Sequence, residues 1–187
     1  MDRARVIRLL ERVAIVVVSL ALSIGVIAVM SGGLLAGRDQ PGVSAGGGGL
    51  GDQFRDLGHA HLRPGELRPG YDSNPPTSGA HVPEPVLRDR SELSDDQLLQ
   101  ALEVGDVVFM YGTDAPPPGL LALARTVAAP FTPALAAAGQ AVILARRSGV
   151  DGVLGLAWTR IVHVSAANDP LLGSFASAWL GHGAPGR

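Results

Sequence analysis

The chain has 187 residues, a formal net charge of −2 and no cysteine. Without cysteine it forms neither disulfides nor thiolate metal sites. A slightly negative chain is also a poor candidate for nucleic-acid binding, because such proteins carry a basic surface. The candidate functional groups are therefore histidines, carboxylates and polar loop residues. The length is enough for one domain of ordinary size.

The N-terminal region has the features of a membrane anchor. No charged residue lies between Val13 and Leu35, and a membrane-spanning helix needs about 20 predominantly apolar residues. Four arginines precede this run, so the positive-inside rule predicts a cytoplasmic tail over residues 1–12 and a domain outside. A cleaved signal peptide is the alternative, although its apolar region is usually shorter, about 7–15 residues. We expect a single-pass protein of the cell membrane.

Residues 36–51 predict a flexible linker between this anchor and the domain. They are rich in glycine, with a run of four ending at Gly49, and they lack any apolar periodicity. The remaining residues, 52–187, are predicted to form one extracytoplasmic domain.

The first feature of that domain is a histidine pair. His59 and His61 are two residues apart, so in an extended segment both rings point to the same face. Two imidazoles on one face, with a third from a loop, are a common way to hold zinc or copper. We predict such a site from His59, His61 and His81, completed by water or Glu84. The alternative is that these histidines are structural or solvated and bind no metal.

The segment ending at His81 predicts one rigid loop rather than a helix or a strand. Its two consecutive prolines fix φ, and its glycine adopts dihedral angles that other residues reach only with strain. Its threonine and serine can bond to nearby backbone groups, and its tyrosine can bury the ring while keeping the hydroxyl bonded. The predicted binding loop comprises Tyr71, Pro75, Pro76, Thr77, Ser78 and Gly79.

The elements after the loop alternate between helix and strand. Ser94 and Gln97 form a capping-box pattern that opens a helix ending near Gly105. The later signals predict a strand over residues 106–111, a helix over 120–128, a short helix from Thr132-Pro133, a strand over 141–145, a longer strand over 153–164 and a helix from Asp169-Pro170.

The connections predict how the strands pair. The helical segment after Tyr111 permits a parallel crossover, whereas the short turn over residues 148–152 predicts an antiparallel hairpin between the two strands that it joins. The predicted fold class is α+β: one N-terminal transmembrane helix, then a small extracytoplasmic domain with a mixed β-sheet and packed helices.

Two classes of function are compatible with these residues. A hydrolytic enzyme would use His81 with Ser78 or Glu84, since a hydroxyl beside an imidazole is the arrangement of nucleophilic catalysis. A metalloenzyme would use Glu84 or Glu103 as a general base. No Gly-x-Ser-x-Gly elbow is present, however. We favour a membrane-anchored binding or accessory module, with a degenerate metal-dependent or hydrolytic enzyme as the alternative; the sequence names no protein partner.

Taken together, these residues resemble the domain of unknown function 3105 family, bacterial membrane-anchored proteins without an established activity. The family pattern has His-x-His, then Tyr-x-x-x-Pro-Pro-Thr-Ser-Gly-Pro-His, and later Trp-Gly-Arg. His59 and His61 match the first motif. The segment from Tyr71 to His81 matches the second, with Ala80 in place of the family proline.

The chain departs from that family pattern in the helix after the loop. Gln100 and Val104 stand where the family has histidines, and Ala101 stands where it has asparagine. The resemblance implies that the loop and the helix end face each other, with His81 near Gln100 or Val104. It also implies a divergent member whose metal site, if the family histidines bind metal, has lost two ligands.

Overall fold

The computed structural model describes residues 50–186. The predicted cytoplasmic tail, membrane-spanning helix and nearly all of the linker lie outside the described residues. Between residues 50 and 186, no helix has both the length and the apolar character needed to cross a membrane.

Helices and strands alternate through the described domain. In chain order the elements are β1 (Asp52–Gln53), β2 (Ser91–Glu92), α1 (Asp95–Val104), β3 (Val107–Tyr111), α2 (Leu120–Val127), α3 (Pro133–Ala137), β4 (Val142–Arg146), β5 (Val153–Ala157), β6 (Arg160–Val164) and α4 (Pro170–Trp179).

The strands form one mixed sheet in the order β1-β6-β5-β3-β4-β2. β3 and β4 are parallel and are joined by a crossover through α2 and α3. β2 is parallel to β4, whereas β5 pairs antiparallel with β3 and with β6. The predicted α+β class, with a mixed sheet and packed helices, is confirmed for the domain.

The sheet is covered on both faces. β3 is buried along its whole length, as expected for a strand that reads as one continuous apolar run. Phe109 and Tyr111 pack with α2 and α4 on one face. Val108 and Met110 pack with α1 and α3 on the other. Because strand side chains alternate, one short strand contributes to both cores.

The predicted helix boundaries follow from their caps. The Ser94 hydroxyl accepts a hydrogen bond from the Gln97 amide, and the Gln97 side chain accepts one from the Ser94 amide. The side chains of Thr132 and Asp169 cap α3 and α4 by accepting a hydrogen bond from the backbone amides of Leu135 and Leu171, and each is followed by proline. α1 ends at Gly105, which has a φ of 110°. Three predicted helix starts and this end are confirmed.

The predicted hairpin across residues 148–152 is wrong. β4 and β5 do not pair, because β3 lies between them in the sheet. Neighbouring strands are about 4.8 Å apart, so crossing one strand requires only about 10 Å. The connection from Arg146 to Val153 is long enough for that crossing, and strand β5 instead pairs with β3.

The predicted strand over residues 153–164 is two strands rather than one. β5 ends at Ala157 and β6 begins at Arg160, so Trp158 and Thr159 form a tight hairpin turn. Thr159 has a φ of 59°, a conformation that is rare for a β-branched residue. The sequence offers no glycine or asparagine at this turn, and the usual hairpin signal is therefore missing.

Candidate metal centre

Glu103 lies in the last turn of α1, on the stripe that packs into the core. It follows the fully buried Leu99 by about one turn and is adjacent to the fully buried Leu102. Its own side chain is only 3% exposed. Burial removes the hydration of a carboxylate, and the negative end of the helix dipole lies at the same place. No basic residue lies in that turn, so the charge must be balanced from outside the helix.

Three imidazole rings surround this carboxylate. The Nε2 atom of His61 lies 3.0 Å from Glu103 Oε2, and the Nε2 atom of His81 lies 3.1 Å from the same oxygen. The Nδ1 atom of His59 lies 3.7 Å from Glu103 Oε1. The three histidines predicted to act together therefore converge on one buried acid.

Backbone hydrogen bonds bring the two histidine segments together. His61 and His81 form an isolated parallel β-bridge. The His81 amide donates to Ala60 O at 3.1 Å, and the Leu62 amide donates to His81 O at 2.8 Å. The two rings then meet edge to face, with centroids 5.4 Å apart. This bridge fixes the ring positions more tightly than a free loop would.

The predicted binding loop is ordered and lies against the rest of the domain. Residues 75–79 are all buried. The Thr77 carbonyl accepts a hydrogen bond from the Thr159 amide at 3.0 Å, which joins the loop to the β5–β6 turn. The Tyr71 hydroxyl donates to Ala80 O at 3.0 Å. The loop thus positions His81 against the end of α1, as its rigid sequence predicts.

A second segment holds Glu103 from the other side. The Ala184 amide donates to Glu103 O at 2.9 Å, and the Gly181 amide donates to Gly105 O at 2.8 Å. A Cβ atom at Gly183 would lie 2.1 Å from Glu103 O, so only glycine allows this close approach. The C-terminal segment therefore satisfies the carbonyl groups at the end of α1 and fixes the backbone of Glu103.

The protonation of His81 decides what this cluster can bind. Its Nδ1 atom lies 3.0 Å from Gly79 O, and a carbonyl oxygen only accepts, so Nδ1 carries the proton. In the neutral ring Nε2 then presents a lone pair. That atom is buried and has no hydrogen bond of good geometry among the described residues. It faces the acidic Glu103 Oε2, and two acceptors in contact call for a proton or a metal cation.

The spacing of these atoms fits a metal ion. Bonds of about 2.0–2.1 Å at tetrahedral angles place neighbouring ligand atoms about 3.3 Å apart. The two nitrogen–oxygen distances at Glu103 are 3.0 and 3.1 Å, and one ligand atom from each of His61, His81 and Glu103 lies within 4.8 Å of the others. Small movements of the side chains would complete such a site. His59 lies beside this group of ligands, and its ring centroid is 6.4 Å from that of Trp158.

Glu84 and Ser78 have other partners than His81. The Glu84 carboxylate accepts hydrogen bonds from the Ser94 hydroxyl and the Gln97 amide group, at the start of α1. The Ser78 hydroxyl donates to Arg55 O and accepts from the Leu57 amide. The expected fourth ligand, Glu84, is thus replaced at the histidines by Glu103, and neither proposed catalytic pair is formed in the described domain.

The helix side chain that contacts the His81 ring is that of Glu103, at 3.1 Å, whereas the resemblance implied Gln100 or Val104. Gln100 and Val104 line a cavity together with Asp106. A sequence signal for Glu103 does exist: it is a charged residue at a core position of an otherwise apolar helical stripe.

Comparison with known proteins assigns the family. The family described as "Protein of unknown function (DUF3105)" matches residues 66–186. The chain belongs to the domain of unknown function 3105 family. No curated protein and no solved structure matches the chain. The matched region includes His81 and Glu103, whereas His59 and His61 precede it. Because the family has no assigned activity, the function must be argued from the site itself.

Proposed function

We propose that this member of the family is a metal-binding module that holds zinc or copper through His61, His81 and Glu103. The observation that supports this is the buried contact between the His81 Nε2 lone pair and Glu103 Oε2 at 3.1 Å. A divalent cation between the two atoms would satisfy both, and it would also balance the negative charge of the carboxylate.

The ligand types favour these metals. Two imidazole nitrogens with one carboxylate oxygen suit zinc and copper(II), whereas calcium and magnesium prefer ligand shells made of oxygen. His81 and Glu103 are buried, but the His61 side chain is 49% exposed. One side of the site is therefore open to a further ligand, and a bound metal would supply Lewis acidity there.

The module is proposed to be tethered to the outer face of the cell membrane by residues 13–35. The uncharged run and the arginines before it support this location. The linker over residues 36–51 would give the site limited freedom next to the membrane. We propose no nucleic-acid partner for such a domain, given its net charge of −2.

A metal-dependent enzyme is the second candidate, and one observation favours it. Three protein ligands with an open side are the arrangement of catalytic zinc sites, and Glu103 lies within hydrogen-bond distance of His61. However, Glu103 cannot be both ligand and general base. In the described domain no second carboxylate bonds to His59, His61 or His81, so the binding module is preferred.

Calorimetric titration of the full chain with Zn²⁺ and Cu²⁺ tests the proposal. We expect one equivalent to bind, and we expect His81→Ala and Glu103→Gln each to weaken binding by about tenfold or more, because even the loss of an outer partner costs 10–100-fold. His163→Ala is the matched control, since His163 is exposed and its ring bonds instead to Asp151 O. No heat with either metal, or equal weakening in the control, would reject the site.

A further inference from the structure

A second cavity lies beside α1 and is separate from the histidine cluster. Its volume is about 200 Å³, and Asp106 lies in its wall. Pro85 and Val86 form one side, and Ala136 and Ala137 of α3 form another. Apart from Gln100 and Asp106, its walls are apolar side chains. An apolar cavity of about 150 Å³ is already large enough to bind benzene.

Asp106 is the unusual group in this cavity. It is only 1% exposed. Its Oδ1 atom accepts a hydrogen bond from the Ala141 amide at 2.8 Å. Its Oδ2 atom is buried and has no hydrogen-bond partner in the part of the chain that the structure describes. A buried polar atom without a partner is unfavourable, so its retention needs an explanation.

The protonation state of Asp106 defines which ligand group it can recognise. Burial raises the pKa of Asp106 to about 8, because an apolar site disfavours the charged form. Among the described residues, no other titratable side chain lines the cavity. At neutral pH the free oxygen therefore carries a proton, and a carboxylic acid in this form donates one hydrogen bond.

We infer that this cavity binds a small, neutral and mostly apolar molecule that carries one hydrogen-bond acceptor, such as a ketone oxygen. The acceptor would bond to Asp106 Oδ2, which is buried in the described structure and would have to turn into the cavity, and the apolar part would pack against Pro85, Val86 and Ala136. Ligand sites of this kind combine apolar walls with a few convergent polar groups. The inference does not depend on the metal site, because none of His61, His81 and Glu103 is among the described residues that line the cavity.

Binding of cyclohexanone to the full chain tests this inference. The amide signals of Asp106 and Ala137 would be followed by nuclear magnetic resonance during the titration. Methylenecyclohexane has the same shape without the acceptor, and cyclohexylammonium carries a cation in its place. We expect saturable shifts with cyclohexanone and at least about tenfold weaker binding of both other probes, because neither accepts a hydrogen bond from Asp106.

Two variants on α3 give a matched comparison. Ala137 lies at the exposed rim of the cavity, whereas Ala134 is exposed on the same helix and does not line it. Ala137→Leu should narrow the cavity and abolish cyclohexanone binding, and Ala134→Leu should leave it unchanged. Both variants should bind zinc like the parent chain, which separates this test from that of the metal centre.

Several results would overturn the inference. Absence of saturable shifts would show that the cavity takes no such ligand. Equal affinity for methylenecyclohexane would show that Asp106 does not participate. Tighter binding of cyclohexylammonium would assign the cavity to cations, and equal loss in Ala134→Leu would place the binding elsewhere.

Discussion

Two buried carboxyl groups near the end of α1 lie in opposite surroundings. Glu103 is surrounded by imidazole nitrogens that can balance its charge, directly or through a metal. Asp106 accepts a hydrogen bond from one backbone amide and lines a cavity whose walls are otherwise apolar apart from Gln100. We therefore propose two different roles for the same functional group: a charged ligand in one site and a neutral hydrogen-bond donor in the other.

The environment of Asp106 predicts how stability depends on pH. Its pKa in the folded chain is raised from 3.8 to about 8 by burial. Asp106 therefore contributes fully to the free energy of unfolding below its pKa in the unfolded chain. This contribution is lost as the pH rises through about 8. Between pH 5 and pH 8 it should lower the free energy of unfolding by at most about 1.4 kcal/mol per pH unit.

Urea unfolding at several pH values measures this effect. The relevant quantity is the difference between the parent chain and Asp106→Asn, because this difference removes the pH dependence that the two proteins share. This variant keeps the acceptor for the Ala141 amide and does not ionise. The unfolding free energy of the variant minus that of the parent chain should increase steadily as the pH rises. Parallel curves for the two proteins would show that Asp106 is ionised in the folded state.

The histidines of the candidate site are predictable from sequence, but the carboxylate is only partly so. His59, His61 and His81 are recognisable because their spacing and the rigid loop are local features. Glu84 is the nearer acid in sequence, and it instead bonds to the groups that begin α1. Glu103 joins the histidines through packing between distant segments, and its charge on a core stripe is the one local sign.

At the scale of elements, the loop ending at His81 links the site to the sheet. Its backbone bonds to the segment before it through Gly79 and His81, and to the β5–β6 turn through Thr77. Ordering a loop loses conformational entropy, which these contacts offset. The loop therefore holds His81 in place before any metal binds.

Substitution of Gly79 tests whether that order matters. Gly79 has a φ of 128°, and a Cβ atom there would lie 2.9 Å from the ring of Tyr71. Gly79→Ala should destabilise the domain by about 2–4 kcal/mol, through backbone strain and overpacking. Gly65→Ala is the control, because Gly65 has a φ of 87° and open space around it; strain alone should cost about 1 kcal/mol.

Chemical denaturation of both variants gives the comparison. If Gly79→Ala lowers the free energy of unfolding by no more than Gly65→Ala does, the loop is not packed against Tyr71 as described. Zinc binding should also weaken in Gly79→Ala, because a shift of the loop moves the His81 ring that Gly79 O orients.

Helices were more predictable than strand pairing in this domain. Caps such as Ser94 with Gln97 are local, so they determine where helices begin whatever the rest of the chain does. The pairing of β5 with β3 rather than β4 depends on long-range contacts. The turn at Trp158 and Thr159 places a β-branched residue at positive φ, and propensity alone predicts a continuous strand there.

At the scale of the whole molecule, we expect the anchor, the linker and the domain to have separate tasks. The described residues, 50–186, form one compact unit. The proposed metal site and the cavity at Asp106 both lie within this unit, and residues of α1 contribute to each of them. Tethering would hold both sites at the outer face of the cell membrane without altering the structure of either site.

A reporter fusion tests the proposed topology. An enzyme that is active only outside the cytoplasm, fused after residue 50, should be active, because we expect the arginines before the apolar run to retain the N-terminus inside. The same enzyme fused before Met1 should be inactive. An inactive fusion after residue 50 would contradict the orientation, and release of the mature chain into the medium would contradict the anchor.

The most direct measurement of the central claim is to locate the metal. A crystal grown with Zn²⁺ would be examined by anomalous scattering at the zinc absorption edge. We predict one strong peak about 2.0–2.2 Å from His61 Nε2, His81 Nε2 and a carboxylate oxygen of Glu103. A well-ordered site with no peak, in which His81 and Glu103 contact each other directly, would show that a proton rather than a metal joins them.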